Sequence, residues 1–380
     1  MAEREEIVAT VREFVERDVL PVASELEHAD EYPTELVRKL NDLGLFGCAI
    51  PEEHGGLGLD VTTYALLIAE LARGWMSLTG VVNGHYVASW MIASYGTNEQ
   101  QVRLLPGMAQ GRPRGAFALT EPQAGSDLQA IRMRAERDGD AYRLTGHKMW
   151  ITNALHSGLI VVLARTEETD PPHRGMGAFL VEKEPGAATP PGLQIVPLDK
   201  LGYKGVETCE VVFDAAAATL LGAEEGRGFQ QFMAGLKVGR INLAARSVGL
   251  AQAAFEAAIR YAQQRSAFGK RIADHQAIQL TLAQMATKIE AARLLTLEAA
   301  RLKDAGERAD LEAGMAKYFA SEVAAEVSLD AMRVHGGYVY SPEFVVERLY
   351  RDAPLLVIGE GTNEIQQLLI ARRLLERYAE

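Results

Sequence analysis

Apolar positions recur at helical spacing over residues 3–20 and 34–45, stop at the glycine-rich turn "PEEHGGLGLD" (51–60), and resume from about 61 to 110. Near "YGTNEQ" the run is interrupted, and Thr97 is placed to cap the segment "NEQQVRLLPGM" that follows. From about 115 the texture changes. "AYRLTG" alternates, and "GLIVVLART", "GAFLVEKEPG" and "TCEVVFD" are short β-branched runs divided by turns such as "DGD" and "DPPHRG". No helical crossover separates these runs, which predicts antiparallel pairing in a sheet or barrel. After "LLGAEEGRGF" the helical period returns and persists, with Ile278, Leu282, Met285, Ile289, Ala292, Leu295 and Ala299 on one stripe. Long helices with short connections predict a bundle. The fold class is therefore α+β multidomain: a helical N-terminal domain over 1–114, an antiparallel β domain over 115–222, and a four-helix-type bundle over 223–380.

Composition adds exclusions. At 380 residues the chain exceeds the ~250–300 at which single cores stop growing, and with 48% apolar residues it has ample material for several cores. Lys plus Arg number 39 against 51 Asp plus Glu, a net −12 without long single-sign blocks, which is not the footprint of a nucleic-acid binder. No apolar run approaches the ~18–20 residues of a membrane span. The charged, amphipathic start "MAEREEIVATVREFVERD" resembles neither a signal nor a transit peptide, so a cytoplasmic protein is expected. Cys48 and Cys209 lie far apart in apolar segments, as core thiols do. The eight histidines show no HxxxH pairing, and no metal site is expected.

Candidate chemistry begins with "VIGEGTNEIQ" (357–366). Helix-start chemistry explains Thr362 or Asn363 as a cap and Glu364 as an acid near the positive end of the dipole. It leaves Glu360, between two glycines upstream of the cap, without a task. "ALTEPQAGSD" (118–127) offers Thr120, Gly125 and Ser126 to the polar edge of a ligand, or is an ordinary surface turn. A serine nucleophile is not supported, since Leu128 stands where the second glycine of a GxSxG elbow belongs. In "KMWITN" (148–153), Trp150 and Thr152 share one face of a strand and suit a planar heterocycle, although a tryptophan on a strand is commonly core. No Rossmann fingerprint exists. "QQRSAFGKRI" (263–272) places Arg265 and Phe268 for a pyrophosphate and a base, or is a solvated helix-helix turn.

These stretches, together with "PEEHGGLGLD", "LGYKG", "HQAI", "HGGYVY" and "ERLYRDA", follow one another in an order and spacing similar to the acyl-CoA dehydrogenase family, over essentially the whole chain. The resemblance implies an FAD enzyme that oxidises an acyl-CoA to its trans-2-enoyl-CoA, in fatty acid or branched-chain amino acid catabolism. It passes electrons to an electron-transfer flavoprotein and assembles as a homotetramer, a dimer of dimers. By motif position Glu360 resembles the base that removes the α-proton, with Gly361, Ser126 and Arg240 near the thioester and pantetheine. Phe117, Leu119, Thr120, Gly125, Ser126, Trp150 and Thr152 resemble flavin contacts. Arg265 and Phe268 from a neighbouring subunit, with Gln276, Arg333, Gly336, Gly337, Thr362 and Glu364, resemble the cradle of the adenosine pyrophosphate.

The resemblance also gives Glu360 its task. An α-proton of a thioester is weakly acidic, so its base must be desolvated until its pKa rises above the reference ~4.3. Part of the family carries the base near residue 239 instead, where this chain has Gly239. Departures from the family pattern are Lys237 for an acid, Arg333 for a glutamine, Ala267 for a hydroxyl, Val339 in the "GGxGY" segment, and Gly359 for a bulky residue, which predicts room for a branched or compact acyl group. His85, Tyr86 and Trp90 are candidate acyl-pocket residues, or ordinary helix packing. Two rival readings remain: an acyl-CoA oxidase using O2, against which chain length argues, and a non-catalytic CoA-thioester-binding homologue, against which Glu360, Trp150 and Thr152 argue.

Overall fold

The computed structural model describes residues 2–186 and 191–379. The N-terminal unit comprises α1 (Ala2–Phe14), extended by a π-turn to Val19, then α2 (Ala23–His28), α3 (Thr34–Asp42), α4 (Val61–Tyr95) and α5 (Asn98–Ala109). Asp60 caps α4 through the Thr63 N–H, and Thr97 opens α5 in a reciprocal capping box with Gln100. α4 is long and apolar enough to cross a membrane, but most of its apolar stretch is buried within the protein, as in a core helix. It breaks at Trp75, whose backbone is extended (φ −159°, ψ 110°). Arg348 donates to the Gly74 carbonyl (3.0 Å), which the break leaves without its helical partner.

Strands β1 (Gly115–Ala118), β2 (Arg134–Asp138), β3 (Ala141–Thr152), β4 (Leu159–Arg165), β5 (Met176–Glu182), β6 (Leu193–Pro197) and β7 (Thr208–Leu220) form one sheet. β4 joins both β2 and β5, so the sheet closes on itself around Ile160, Val162, Phe179, Val211 and Phe213. Pairing is mostly antiparallel, with two corrections to the expectation from sequence: β2 meets β4 in parallel at Arg134 and Arg165, and β1 runs parallel to β4, with Gly115 opposite Leu159. The chain between them passes through β2 and β3, so a β-hairpin supplies the crossover that a helix was assumed to require.

The C-terminal bundle contains α6 (Gly228–Gln264), a small hairpin of β8 (Ser266–Ala267) and β9 (Lys270–Arg271), α7 (Gln276–Asp304), α8 (Asp310–His335), α9 (Val346–Ile358) and α10 (Asn363–Arg377). α4 packs along α6, and one apolar cluster runs from Val11 through Trp75 to Leu356 without a break. On α7 the buried stripe is Met285, Ile289, Ala292, Thr296 and Ala299; Leu295 is exposed. Two successive i+3 steps, 289 to 292 to 295, rotate away from the core by about 120°, whereas 296 returns to it. Cys48 and Cys209 are buried free thiols. Glu27, His28 and Glu347 approach one another, but Arg351 already binds both carboxylates at 2.6 and 2.7 Å.

One buried ion pair fixes the loop after β1. Lys148, fully buried, donates to Glu121 Oε1 and to the Leu119 carbonyl, both at 2.9 Å. Glu121 also accepts from the backbone N–H groups of Arg132 (2.7 Å) and Met133 (3.1 Å). Burial pushes the Lys148 ammonium down to about 8, while its attraction holds the Glu121 carboxyl below the usual range despite burial. Lys148→Met strands that carboxylate and is expected to cost about 3–5 kcal/mol in chemical denaturation. Arg103→Met, which breaks an exposed pair with Glu182, costs about 1 kcal/mol or less in the same measurement.

Candidate active site

α9 ends at Ile358, and the chain reverses in four residues, 359–362, before α10. Glu360 and Gly361 adopt φ +53° and +88°, so the acid itself occupies the left-handed region that a side chain enters at a cost of roughly 1–2 kcal/mol. Thr362 caps α10 by accepting the Ile365 N–H (3.4 Å). Asn363, the alternative cap, is instead a tie: its Oδ1 accepts from Lys317 (2.7 Å) and Ser321 (3.1 Å), and its amide donates to Glu322 (2.6 Å). Lys317, buried on α8, also donates to the Val357 carbonyl (3.0 Å), so one ammonium grips the chain on both sides of Glu360. Burial pushes that ammonium down to about 8, with Glu360 the largest opposing influence.

The reversal aims the Glu360 carboxylate into the junction of α4, α6 and α8. Asn83 of α4 donates to Oε1 at 2.8 Å. Oε2 is out of reach of solvent and has no partner. Gly239 of α6 makes room: a Cβ there lies 2.2 Å from Oε2. The residue as a whole is half-buried, yet protein surrounds the carboxylate, and burial raises its pKa above the usual glutamate value. Arg246 opposes that rise most, followed by the Asn83 hydrogen bond, Lys317 and Arg240. Arg240 is itself buried, and its Nε lacks a partner. Lys237 faces away and pairs with Asp310 (3.1 Å).

The second group of predicted residues sits on the β-domain side. Phe117 stacks on Phe232 (4.6 Å between centroids), Leu119 is buried, and Thr120 donates its hydroxyl to the Met149 carbonyl. Gly125 and Ser126 are exposed, with open space where a Gly125 side chain would stand. Trp150 is not core: it is 62% exposed, because β3 slips register between Lys148 and Ile151 and takes φ +66° at the tryptophan. Thr152 reaches α4, its methyl 3.1 Å from where a Gly80 Cβ would lie, about one turn before Asn83.

Arg265, Phe268, Gln276, Arg333, Gly336 and Gly337 are not brought to Glu360 within one chain. Arg265 ends α6, roughly 39 Å along the helix from Gly239 at 1.5 Å per residue. Its guanidinium lies 5.4 Å from the centre of the Tyr338 ring, Phe268 is 95% exposed, and Gly336 and Gly337 face open space. Arg333 pairs with Asp330, Val339 is buried, the Ala267 carbonyl bonds His275, and Glu364 is exposed. Gly359 opens no cavity: a side chain there meets the Leu355 carbonyl at 3.0 Å and Leu243 at 3.6 Å. His85 bonds the Phe46 carbonyl and the Gly115 N–H, Tyr86 stacks on Tyr64, and Trp90 meets Tyr95 edge-on. Sequence reasoning missed Asn83, Arg246 and Lys317; each is a polar residue inside an otherwise apolar helical run, and that was the available signal.

A helical N-terminal unit, a closed β-sheet and a C-terminal helical bundle, with one desolvated carboxylate held between helices of the two helical units, define the class that comparison with known proteins identifies. Family models described as acyl-CoA dehydrogenase N-terminal, middle and C-terminal domains match residues 1–112, 116–216 and 226–375. An acyl-CoA dehydrogenase of Bacillus subtilis is 42% identical over 370 residues, 96% of each chain. The butyryl-CoA dehydrogenase of Megasphaera elsdenii superposes with a TM-score of 0.93 at 35% identity over 98% of each chain. A chain in a structure of the electron transferring flavoprotein of Acidaminococcus fermentans superposes with a TM-score of 0.94 at 37% identity, covering 99% of this chain and 98% of that one. The chain belongs to the acyl-CoA dehydrogenase family.

Asn83 stabilises the ionised form of Glu360, so Asn83→Ala raises its pKa further. A carboxylate accepts a proton only when ionised, so the acid limb of the kcat/KM profile on the wild-type enzyme's preferred acyl-CoA is expected to move to higher pH. A limb that stays in place or moves down contradicts this role.

Proposed function

We propose that the protein catalyses α,β-dehydrogenation of an acyl-CoA thioester to the trans-2-enoyl-CoA, with Glu360 as the base that takes the α-proton. The observation that carries this reading is the Glu360 carboxylate, lifted in proton affinity by burial, with Asn83 holding Oε1 while Oε2 is left free. A free, poorly solvated oxygen is where a carbon acid is deprotonated. Gly361 and the Glu360 N–H are assigned to the thioester carbonyl, and Arg240 and Ser126 to the CoA arm.

The family implies FAD, and the chain fits it. Exposed Trp150 and Thr152 offer a ring face and an edge, with Phe117, Leu119, Thr120 and Gly125 beside them. Arg265, Phe268, Gln276, Arg333, Gly336 and Gly337 offer a cation, an exposed aromatic and open backbone to a nucleotide. Thr362 and Glu364 complete that cradle. When bound, FAD supplies the acceptor for the β-hydride. The protein's own part is to hold the thioester over Glu360, exclude water and take the proton. Because the nucleotide residues lie at the far end of α6, the reading includes a neighbouring subunit that contributes them, hence a homotetramer. Electron transfer to an electron-transfer flavoprotein is part of the same reading, supported by the family and by the Acidaminococcus likeness. Cytoplasmic location is part of it too.

Glu360→Gln keeps the shape and removes the base. Flavin content and acyl-CoA binding are expected to persist, while dye-linked dehydrogenation falls on the order of 10²–10⁴-fold. Turnover within a few-fold of wild type refutes Glu360 as the base.

A further inference from the structure

Arg246 enters the site so far only through its electrostatic hold on Glu360. It stands seven residues beyond Gly239 on α6, nearly the same face about two turns on. Its side chain is 5% exposed. Nη2 donates to the Thr79 carbonyl (3.1 Å), Nη1 makes a long contact with the Tyr203 hydroxyl (3.5 Å), and Nε has no partner. Among the described residues no carboxylate lies within 4 Å of this guanidinium. Its surroundings are polar: Asn242 donates to the Tyr64 hydroxyl (2.8 Å) and leaves its own buried Oδ1 unpaired, and Arg246 acts electrostatically on the Tyr64 and Tyr203 hydroxyls.

A buried cation without a counter-ion costs several kcal/mol. Bonding one mid-helix carbonyl does not require a charge, since a neutral amide donor serves as well. Glu360 feels its charge, yet the two form no ion pair, so no carboxylate is in contact with the guanidinium. The position suggests what does. Thr79 lies four residues before Asn83 on α4, and a helical carbonyl points toward the residue four ahead, so the guanidinium sits within about one helical turn of the amide that holds Glu360. An acyl chain with its α-carbon at Glu360 and a carboxylate about two or three carbons further on spans that interval.

We propose that the acyl end of this pocket recognises a carboxylate, so that the substrate is the CoA monothioester of a short dicarboxylic acid and Arg246 is the residue that holds its far end. This rests on the reading of Glu360 as base. A bidentate guanidinium–carboxylate pair supplies the missing counter-ion, and Tyr64, Tyr203 and Asn242 supply hydroxyls and an amide around it. A monocarboxylic acyl group leaves the cation bare. Selectivity then arises from the penalty on the wrong ligand as much as from attraction to the right one.

The test compares succinyl-CoA, glutaryl-CoA and butyryl-CoA with the flavin-loaded enzyme and a dye acceptor, in wild type, Arg246→Gln and Arg246→Lys. Wild type is expected to favour a dicarboxylic thioester over butyryl-CoA by at least about 10-fold in kcat/KM. Arg246→Gln loses on the order of 10²-fold on that thioester and at least about ten-fold less on butyryl-CoA. A changed proton affinity of Glu360 affects all three substrates together and cancels in this ratio. Arg246→Lys keeps the charge and retains part of the preference. Binding is read separately in Glu360→Gln holoenzyme, where adding Arg246→Gln weakens glutaryl-CoA far more than butyryl-CoA. If no thioester is turned over but that binding preference holds, the base assignment fails and the carboxylate site stands. Wild-type preference for butyryl-CoA, or equal losses on all three thioesters in either variant, overturns the proposal.

Discussion

A carboxylate placed where water cannot solvate it is the constraint on which the rest of this structure turns. Desolvating Glu360 raises its affinity for a proton, and the protein must then prevent the acid from escaping to solvent. Three elements do so from different directions. Asn83 on α4 holds one oxygen, Gly239 on α6 vacates the volume for the other, and Lys317 on α8 grips the chain before and after the reversal. None of these acts alone, because each is positioned by helix packing that the other two share.

Local strain falls on residues of both predicted sites. Glu360 and Trp150 both adopt positive φ, one at a helix-to-helix reversal and the other at a register slip in β3. Such conformations persist only where the surroundings over-determine them. Lys317 and Gln366 tie the first, and the Lys148–Glu121 pair with the Thr120–Met149 contacts ties the second. The break in α4 at Trp75 belongs to the same economy of form, since it turns the half-helix carrying Thr79, Gly80 and Asn83 toward both sites.

Periodicity in the sequence was enough to find the three units and nearly all their long elements, because amphipathic helices and buried strands leave regular patterns. It failed where the pattern is set by another chain segment. The parallel pairing of β1 with β4 depends on a strand some 40 residues on, and Leu295 of α7 fits a stripe that the true helical period leaves. For Trp150 the pattern left core and ligand face both open, because alternation cannot anticipate a bulge. Glu360 was legible as an acid without a local task. Its partner Asn83 was not, since 277 residues separate them and one asparagine in an apolar helix does not say what it faces. Arg246 was hidden for the same reason.

The central claim concerns a proton, and infrared difference spectroscopy observes it directly. The protonated carboxyl stretch of wild type, with the Glu360→Gln spectrum subtracted, is to be followed against pH in the flavin-loaded, substrate-free enzyme. The account predicts a band belonging to Glu360 that persists at a pH where an exposed glutamate is already ionised. A band that titrates in the ordinary glutamate range, near 4.5, contradicts it.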